Sequence, residues 1–338
     1  MLKIEKSKLS DLFAAVSKEM ALYVPAEVNN SSDFVLWDET VVPALDILNV
    51  AKPAKQLFFP QSETIVGFKT SGKNIEIFEQ PKADAPFVVY GVRACDACSI
   101  EKVLDRVFLS DPVDEFYKAR RDSGVMITAA CGEPEETCFC GAFGIDAADC
   151  RYGDVTTWTV GEDVYFAANT EKGEGFLSRF ASMMTDSDEA AVEAFKENTK
   201  AIMAQLPLAD LSLEGWGAGK TNEKFNSPEW AELSSGCLGC GTCTFVCPTC
   251  QCYDIRDYDT GHGVQRYRCW DSCMYSDFTL MAHGNSRKSQ VERFRQRFMH
   301  KLVYFPDNND GVFSCVGCGR CLAKCPVSMN IVKVIKNI

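Results

Sequence analysis

Between residues 7 and 21 apolar side chains recur at helical spacing (Leu9, Leu12, Phe13, Val16 and Met20), which predicts an amphipathic helix. Short apolar runs at 33–37, 56–59, 74–78 and 86–92 read as strands, and the unbroken "FVVYGV" (87–92) reads as a buried one. "DACSIEKVLDRVF" (96–108) has the helical period, and "GVMITAA" (124–130) is a second buried strand. "VTTWTVGEDVYFAA" (155–168) is two alternating runs around Gly-Glu-Asp, the pattern of a hairpin. "DEAAVEAFKENTKAIMAQL" (188–206) is helical. Residues 1–206 therefore read as a mixed α/β domain, with an α+β class for the whole chain.

The pattern changes at residues 207–228, "PLADLSLEGWGAGKTNEKFNSP", where Gly, Pro, Asn and Ser mark a linker. From 229 to 338 strand patterns are scarce and short helices alternate with cysteine loops, so a mainly helical second domain is expected. "GWGAGK" (215–220) has some look of a phosphate loop. It lacks the spacing, the Ser/Thr after Lys and the preceding strand of one, and reads as linker.

Composition narrows the setting. The chain has 338 residues, 46% of them hydrophobic and 24% charged, enough for more than one core. No apolar run is long enough to span a bilayer, and "MLKIEKSKLSDLF" lacks a signal-peptide apolar region, so a cytoplasmic protein is expected. In a reducing compartment the 18 cysteines are better read as metal ligands or redox groups than as disulfides. Net charge is −12, unevenly spread: residues 227–338 hold 13 Lys+Arg against 10 Asp+Glu, or +3, which leaves −15 on residues 1–226. The acidic half argues against nucleic acid as a partner.

The cysteines carry the chemistry. C-x2-C-x2-C-x3-C-P occurs at Cys237, Cys240, Cys243, Cys247 and Pro248, and again at Cys315, Cys318, Cys321, Cys325 and Pro326. This is a doubled bacterial-ferredoxin run, in which three thiolates of one loop reach three corners of an iron–sulfur cube and the fourth closes the other cube. The assignment is Cys237, Cys240, Cys243 and Cys325 for one [4Fe–4S] cluster, and Cys315, Cys318, Cys321 and Cys247 for the second. Zinc fits poorly, since its sites combine two short pairs, often with His. The 67 residues between Cys247 and Cys315 make a long insert (248–314) with structure of its own. Within it, "RKSQVERFRQRFMHK" (287–301) puts Val291, Phe294 and Phe298 on one helical face. Its bases either point to solvent, offset cluster charge or meet an acidic partner, with packing as the first role.

Residues 1–206 add Cys95, Cys98, Cys131, Cys138, Cys140 and Cys150, in "GVRACDACS" (91–99), "ACGEPEETCFCGAFG" (130–144) and beyond. Cys95 and Cys131 each follow a predicted buried strand, and adjacent strand ends are where an α/β layer places a site. Thiols gathered there read as a third [4Fe–4S] cluster, as zinc, or as inert buried cysteines.

The chain resembles a family of iron–sulfur electron-transfer subunits, which includes those of anaerobic sulfite reductases and the beta subunits of sulfhydrogenases (NiFe hydrogenases). The residues that carry the resemblance are "VRACD" (92–96), "CGEPEETCFCGAFG" (131–144), "CTFVCPTCQCYD" (243–254), "WDSCMYSDFTLMA" (270–282), "RFRQRFMHK" (293–301) and "CVGCGRCLAKCP" (315–326), in the same order. They cover most of the chain from about residue 85 onward. The resemblance implies a third cluster held by Cys95, Cys131, Cys138 and Cys140, with Cys98 the alternative to Cys95. It implies a non-catalytic electron-transfer subunit of an anaerobic complex, placed between a flavoprotein subunit that takes electrons from NAD(P)H and a catalytic redox subunit. The chain departs from the family pattern in having Cys98 beside Cys95, and in "MAHGNSR" (281–287), where the glycine–histidine order differs.

Two other functions compete with this wire. Cys250, Cys252, Cys269 and Cys273, unassigned like Cys98 and Cys150, can be read as an open metal site at which the chain itself reduces a small substrate. A redox-sensing regulator is the third reading, but it wants an effector- or DNA-binding module that the acidic half does not offer. The three histidines, His262, His283 and His300, are scattered and lack a nucleophile partner, so no catalytic residue is assigned.

Overall fold

The apolar runs before residue 170 mostly become strands of one large sheet. The computed structural model describes residues 1–79 and 85–338. Its strands are β1 (Leu2–Glu5), β2 (Ala21–Val28), β3 (Ser31–Leu36), β4 (Ser62–Ser71), β5 (Asn74–Glu79), β6 (Phe87–Val92), β7 (Gly124–Ala129), β8 (Val155–Val160), β9 (Asp163–Ala168), β10 (Thr185–Asp186), β11 (Tyr253–Asp259) and β12 (Val264–Trp270), besides one short hairpin at 280–285. Eight of these form a sheet in the order β10-β1-β9-β8-β7-β6-β2-β3. Its centre, β2-β6-β7-β8, is parallel, and its flanks are antiparallel.

Parallel strands need cover on both faces. On one side Val88, Tyr90, Ile127 and Val155 pack against helix Leu9–Ser17 (through Leu12, Phe13 and Val16) and helix Glu171–Phe180. On the other, Val89, Val92 and Met126 meet the segment 94–108 and the buried pair Phe58 and Phe59. That segment is helical throughout, with a π turn at Ile100–Leu104, as the periodicity of 96–108 predicts. The hairpin at 155–168 and the helix Ala190–Met203 likewise fall where the pattern puts them.

Three expectations are corrected. Residues 56–59 are not a strand: Lys55–Phe58 is a helical turn, because four apolar residues carry no period to separate the two forms. The first helix stops at Ser17, since Ala21 already pairs in parallel with Phe87. The segment after 229 is not helical in the way predicted: β11 and β12 are seven-residue strands, paired in a second sheet of order β11-β12-β4-β5. They escape notice because their exposed positions carry Asp and Arg in place of a clean apolar alternation. This sheet also joins strands from before residue 80 to strands from beyond 250.

The remaining core gathers helix Gln290–Met299, helix Ile331–Asn337 and Trp230. Ser289 and Glu292 form a capping box that starts the first of these. Phe294 and Phe298 turn inward from it, as expected, and Trp230 packs on both, stacked on Phe298 at 6.5 Å. Among the described residues no helix is long and apolar enough to cross a membrane.

Candidate metal centre

The two ferredoxin-type runs fold as short loops, each with one helical turn inside it (Thr242–Phe245 and Arg320–Ala323) that carries the third cysteine. Gly241 and Gly319, at the N-cap of those turns, have φ of 74° and 77°, a region that L side chains avoid. The runs exchange their fourth cysteine. Cys237, Cys240 and Cys243 line one cavity together with Cys325, closed by Met274, Phe294 and Met329. Cys247 instead lies among Cys315, Cys318 and Cys321, close enough for their charges to interact.

A third group forms from the large sheet. Cys95 and Cys131 sit just past the C-terminal ends of the neighbouring parallel strands β6 and β7. With Cys138 and Cys140 they line a small cavity, and Cys318 lines it too. The second and third groups are therefore neighbours. Their contact is backbone on backbone: Phe139 N donates to Gly317 O at 2.9 Å. A Cβ on Gly317 would come within 2.4 Å of Phe139 O, and one on Gly319 within 2.6 Å of Thr137 O. Only glycine allows the loops this approach.

Cys98 stands apart. Its thiol is hydrogen-bonded to Tyr152, and it lines a different cavity with Lys102 and Phe313. Cys150 donates to Tyr152 O at 3.4 Å. Cys269 projects from β12 near Arg256. Cys250 lies close enough to Cys247, and Cys252 to Cys273, for their thiols to perturb one another.

Two opposing effects act on these sulfurs: burial disfavours the thiolate, and buried cations favour it. Burial pushes the thiol of Cys138 up to about 11 and those of Cys140 and Cys315 up to about 12, and it raises Cys95, Cys131 and Cys318 as well. Cys247 is held low, above all by its hydrogen bond with Cys250 and then by the Lys301 ammonium. Among the cations buried around these sulfurs are Lys55 (1% exposed), Arg297 (3%) and Lys301 (4%). Lys301 Nζ donates to Cys247 Sγ at 3.3 Å, to Thr249 Oγ1 at 2.6 Å and to Ser314 O at 3.1 Å. Lys55 Nζ donates to Cys247 O at 2.9 Å and to Cys250 O at 2.7 Å, over the ring of Trp270. Among the described residues Arg297 Nε has no hydrogen-bond partner. The anionic groups facing all three are cysteine sulfurs. Burial, more than any other cause, pulls the Lys55 ammonium down to about 8.

Buried cations without anions are expensive. A cube held by four thiolates carries about two negative charges and supplies what these side chains lack. The residues present fit such a group. Further donors are aimed at the sulfurs: Gln290 Nε2 to Cys237 at 3.3 Å and Met329 N to Cys325 at 3.2 Å. For the bases of 287–301 the sequence allows solvent, cluster or partner. Arg297 and Lys301 turn inward, while Lys288 is exposed. Lys55 escapes a sequence reading entirely, because nothing in "PAKQLFF" marks a buried cation. Arg320 escapes it too. It forms a buried bidentate pair with Asp96, at 2.5 and 2.7 Å, between the second and third groups, where its charge meets both Cys318 and Cys95.

Comparison with known proteins follows the same lines. The family described as 4Fe-4S dicluster domain matches residues 236–329. Sulfhydrogenase 2 subunit beta of Pyrococcus furiosus is 30% identical over 338 residues, covering 99% of this chain and 97% of that protein.

Proposed function

The chain belongs to the iron–sulfur hydrogenase beta-subunit family, and from that premise we propose that it relays single electrons through three [4Fe–4S] clusters inside an anaerobic, cytoplasmic, multi-subunit oxidoreductase. The observation that carries this reading is the row of three four-thiol groups, in which Cys318 lines the cavity of its neighbour. When bound, the clusters supply reversible one-electron chemistry, with potentials set by thiolates, hydrogen bonds and nearby charge.

The ligand sets in this reading are Cys237, Cys240, Cys243 and Cys325; Cys247, Cys315, Cys318 and Cys321; and Cys95, Cys131, Cys138 and Cys140. Apolar side chains, among them Met274, Phe294 and Met329, line the first set. Lys301 and Gln290 direct N–H groups at ligand sulfurs. Lys55 and Arg297 add positive charge beside the same sulfurs. Cys240 is the exposed ligand and gives the first set an edge at the surface. The partners proposed are a flavoprotein subunit that draws on NAD(P)H and a catalytic redox subunit. The relative's own name describes one subunit of a larger protein.

Native purification of the complex tests the reading. The expected result is co-isolation of a flavoprotein and a catalytic subunit, with reduction of the chain by NAD(P)H only in their presence. An isolated chain that turns over a small substrate by itself would overturn it.

A further inference from the structure

Cys250, Cys252 and Cys273 belong to none of the three ligand sets, yet they lie together beneath the second. Cys250 is engaged with the ligand sulfur of Cys247. Cys252 and Cys273 are neighbours: their thiols are close enough to perturb one another, and Asp271 N, two residues before Cys273, donates to Cys252 O at 3.0 Å. We propose that Cys252 and Cys273 are a dithiol pair, oxidised by peroxide to a disulfide, at the root of the β11–β12 hairpin.

The fold holds the pair in place before any bond forms. Tyr253 and Trp270 are the last register partners of the ladder, and Asp271 N donates to Cys252 O at 3.0 Å just beyond them. The loop that carries Cys273 is pinned by Ser272, whose hydroxyl is bonded to Thr244 at 2.8 Å and receives Met274 N at 3.2 Å. Disulfides demand close and correctly directed Cβ atoms, and the end of the ladder, where Asp271 N meets Cys252 O, holds the two cysteine-bearing segments side by side. Access is unequal: Cys273 is buried, and Cys252 is half-buried and open to a small oxidant.

The chemistry balances without any other group. The Cys252 sulfur attacks one peroxide oxygen; an S–O bond forms as the O–O bond breaks, and the departing hydroxide takes the thiol proton and leaves as water. The Cys273 sulfur then displaces the second oxygen from Cys252. The S–S bond forms, the S–O bond breaks, and a second water leaves with the remaining proton. Two thiols lose two electrons in all, and one peroxide gains them. The couple thus consumes peroxide next to the thiolates of the second ligand set and fastens the hairpin to the loop behind it.

The experiment uses anaerobically purified holoprotein exposed to hydrogen peroxide at one to two equivalents, then unfolded, alkylated with iodoacetamide and mapped by mass spectrometry without reductant. Iron is counted in parallel. The expected result is a peptide pair joined through Cys252 and Cys273, the loss of two alkylatable thiols per chain, and iron content unchanged. Cys250→Ser should keep the cross-link; Cys252→Ser and Cys273→Ser should each abolish it with iron retained. Recovery of both residues as alkylated thiols at peroxide levels that already release iron would overturn the proposal. So would iron loss in untreated Cys252→Ser or Cys273→Ser, which would make these residues ligands, or a cross-link from either to Cys250.

Discussion

Lys301→Met removes the ammonium 3.3 Å from Cys247 Sγ and keeps an unbranched side chain in its place. Two unit charges 4 Å apart interact by about 4 kcal/mol at an effective dielectric near 20. The added electron of a reduced cluster would be spread over the cube, farther off than the ligand sulfur, so roughly half of that, about 2 kcal/mol, is expected. About 1.4 kcal/mol corresponds to about 59 mV for one electron. Loss of Lys301 should therefore lower the potential of the cluster proposed at Cys247, Cys315, Cys318 and Cys321 by roughly 50–100 mV. The assay is a redox titration followed by electron paramagnetic resonance on holoprotein, with iron content as the control for intact ligation. Lys288→Met, an exposed change on the same segment, should leave the potential within error because solvent and salt screen it. An unchanged or raised potential in Lys301→Met with full iron would refute the assignment of Lys301 as a charge partner of that cluster.

Cys95→Ser should cost about four irons per chain, while Cys98→Ser should leave iron content intact, as metal analysis of the two variants can show. Arg320→Met leaves the Asp96 carboxylate buried without its partner, and chemical unfolding should report a loss of about 3–5 kcal/mol. Trp230→Ala empties a site 1% exposed and drops the bond from its indole N–H to Lys224 O, for a loss of about 3–5 kcal/mol in the same assay. Burial, helped by the Lys301 ammonium, holds His300 down to about 4, whereas the unfolded chain takes up that proton near the ordinary 6.5. The unfolded state then binds more protons between those values, so stability should fall as pH drops from 6.5 toward 4. His300→Gln should flatten that part of the unfolding profile.

The ferredoxin-type runs are legible because their ligands are local: three cysteines spaced by two residues must share a loop, and only the fourth depends on the fold. The third group is half legible. Cys95 and Cys131 visibly follow buried strands, but that those strands are adjacent and parallel is a matter of sheet order. The nearness of Cys318 to Cys140 rests on the approach of Gly317 to Phe139, which no pattern announces. Lys55, Arg297 and Lys301 are beyond reach for a related reason. A lysine looks the same in sequence whether it faces water or sulfur, and its burial is set by residues far along the chain, such as Cys247 against Lys55. The β11–β12 hairpin goes unseen because period-two patterning is written by a buried face, and this one is largely exposed.

Iron and acid-labile sulfide, measured per chain on anaerobically isolated protein, decide whether the chain carries a row of three clusters. Three cubes require close to twelve of each. A value near eight, unaffected by Cys131→Ser or Cys138→Ser, would remove the cluster from the N-terminal sheet and break the row.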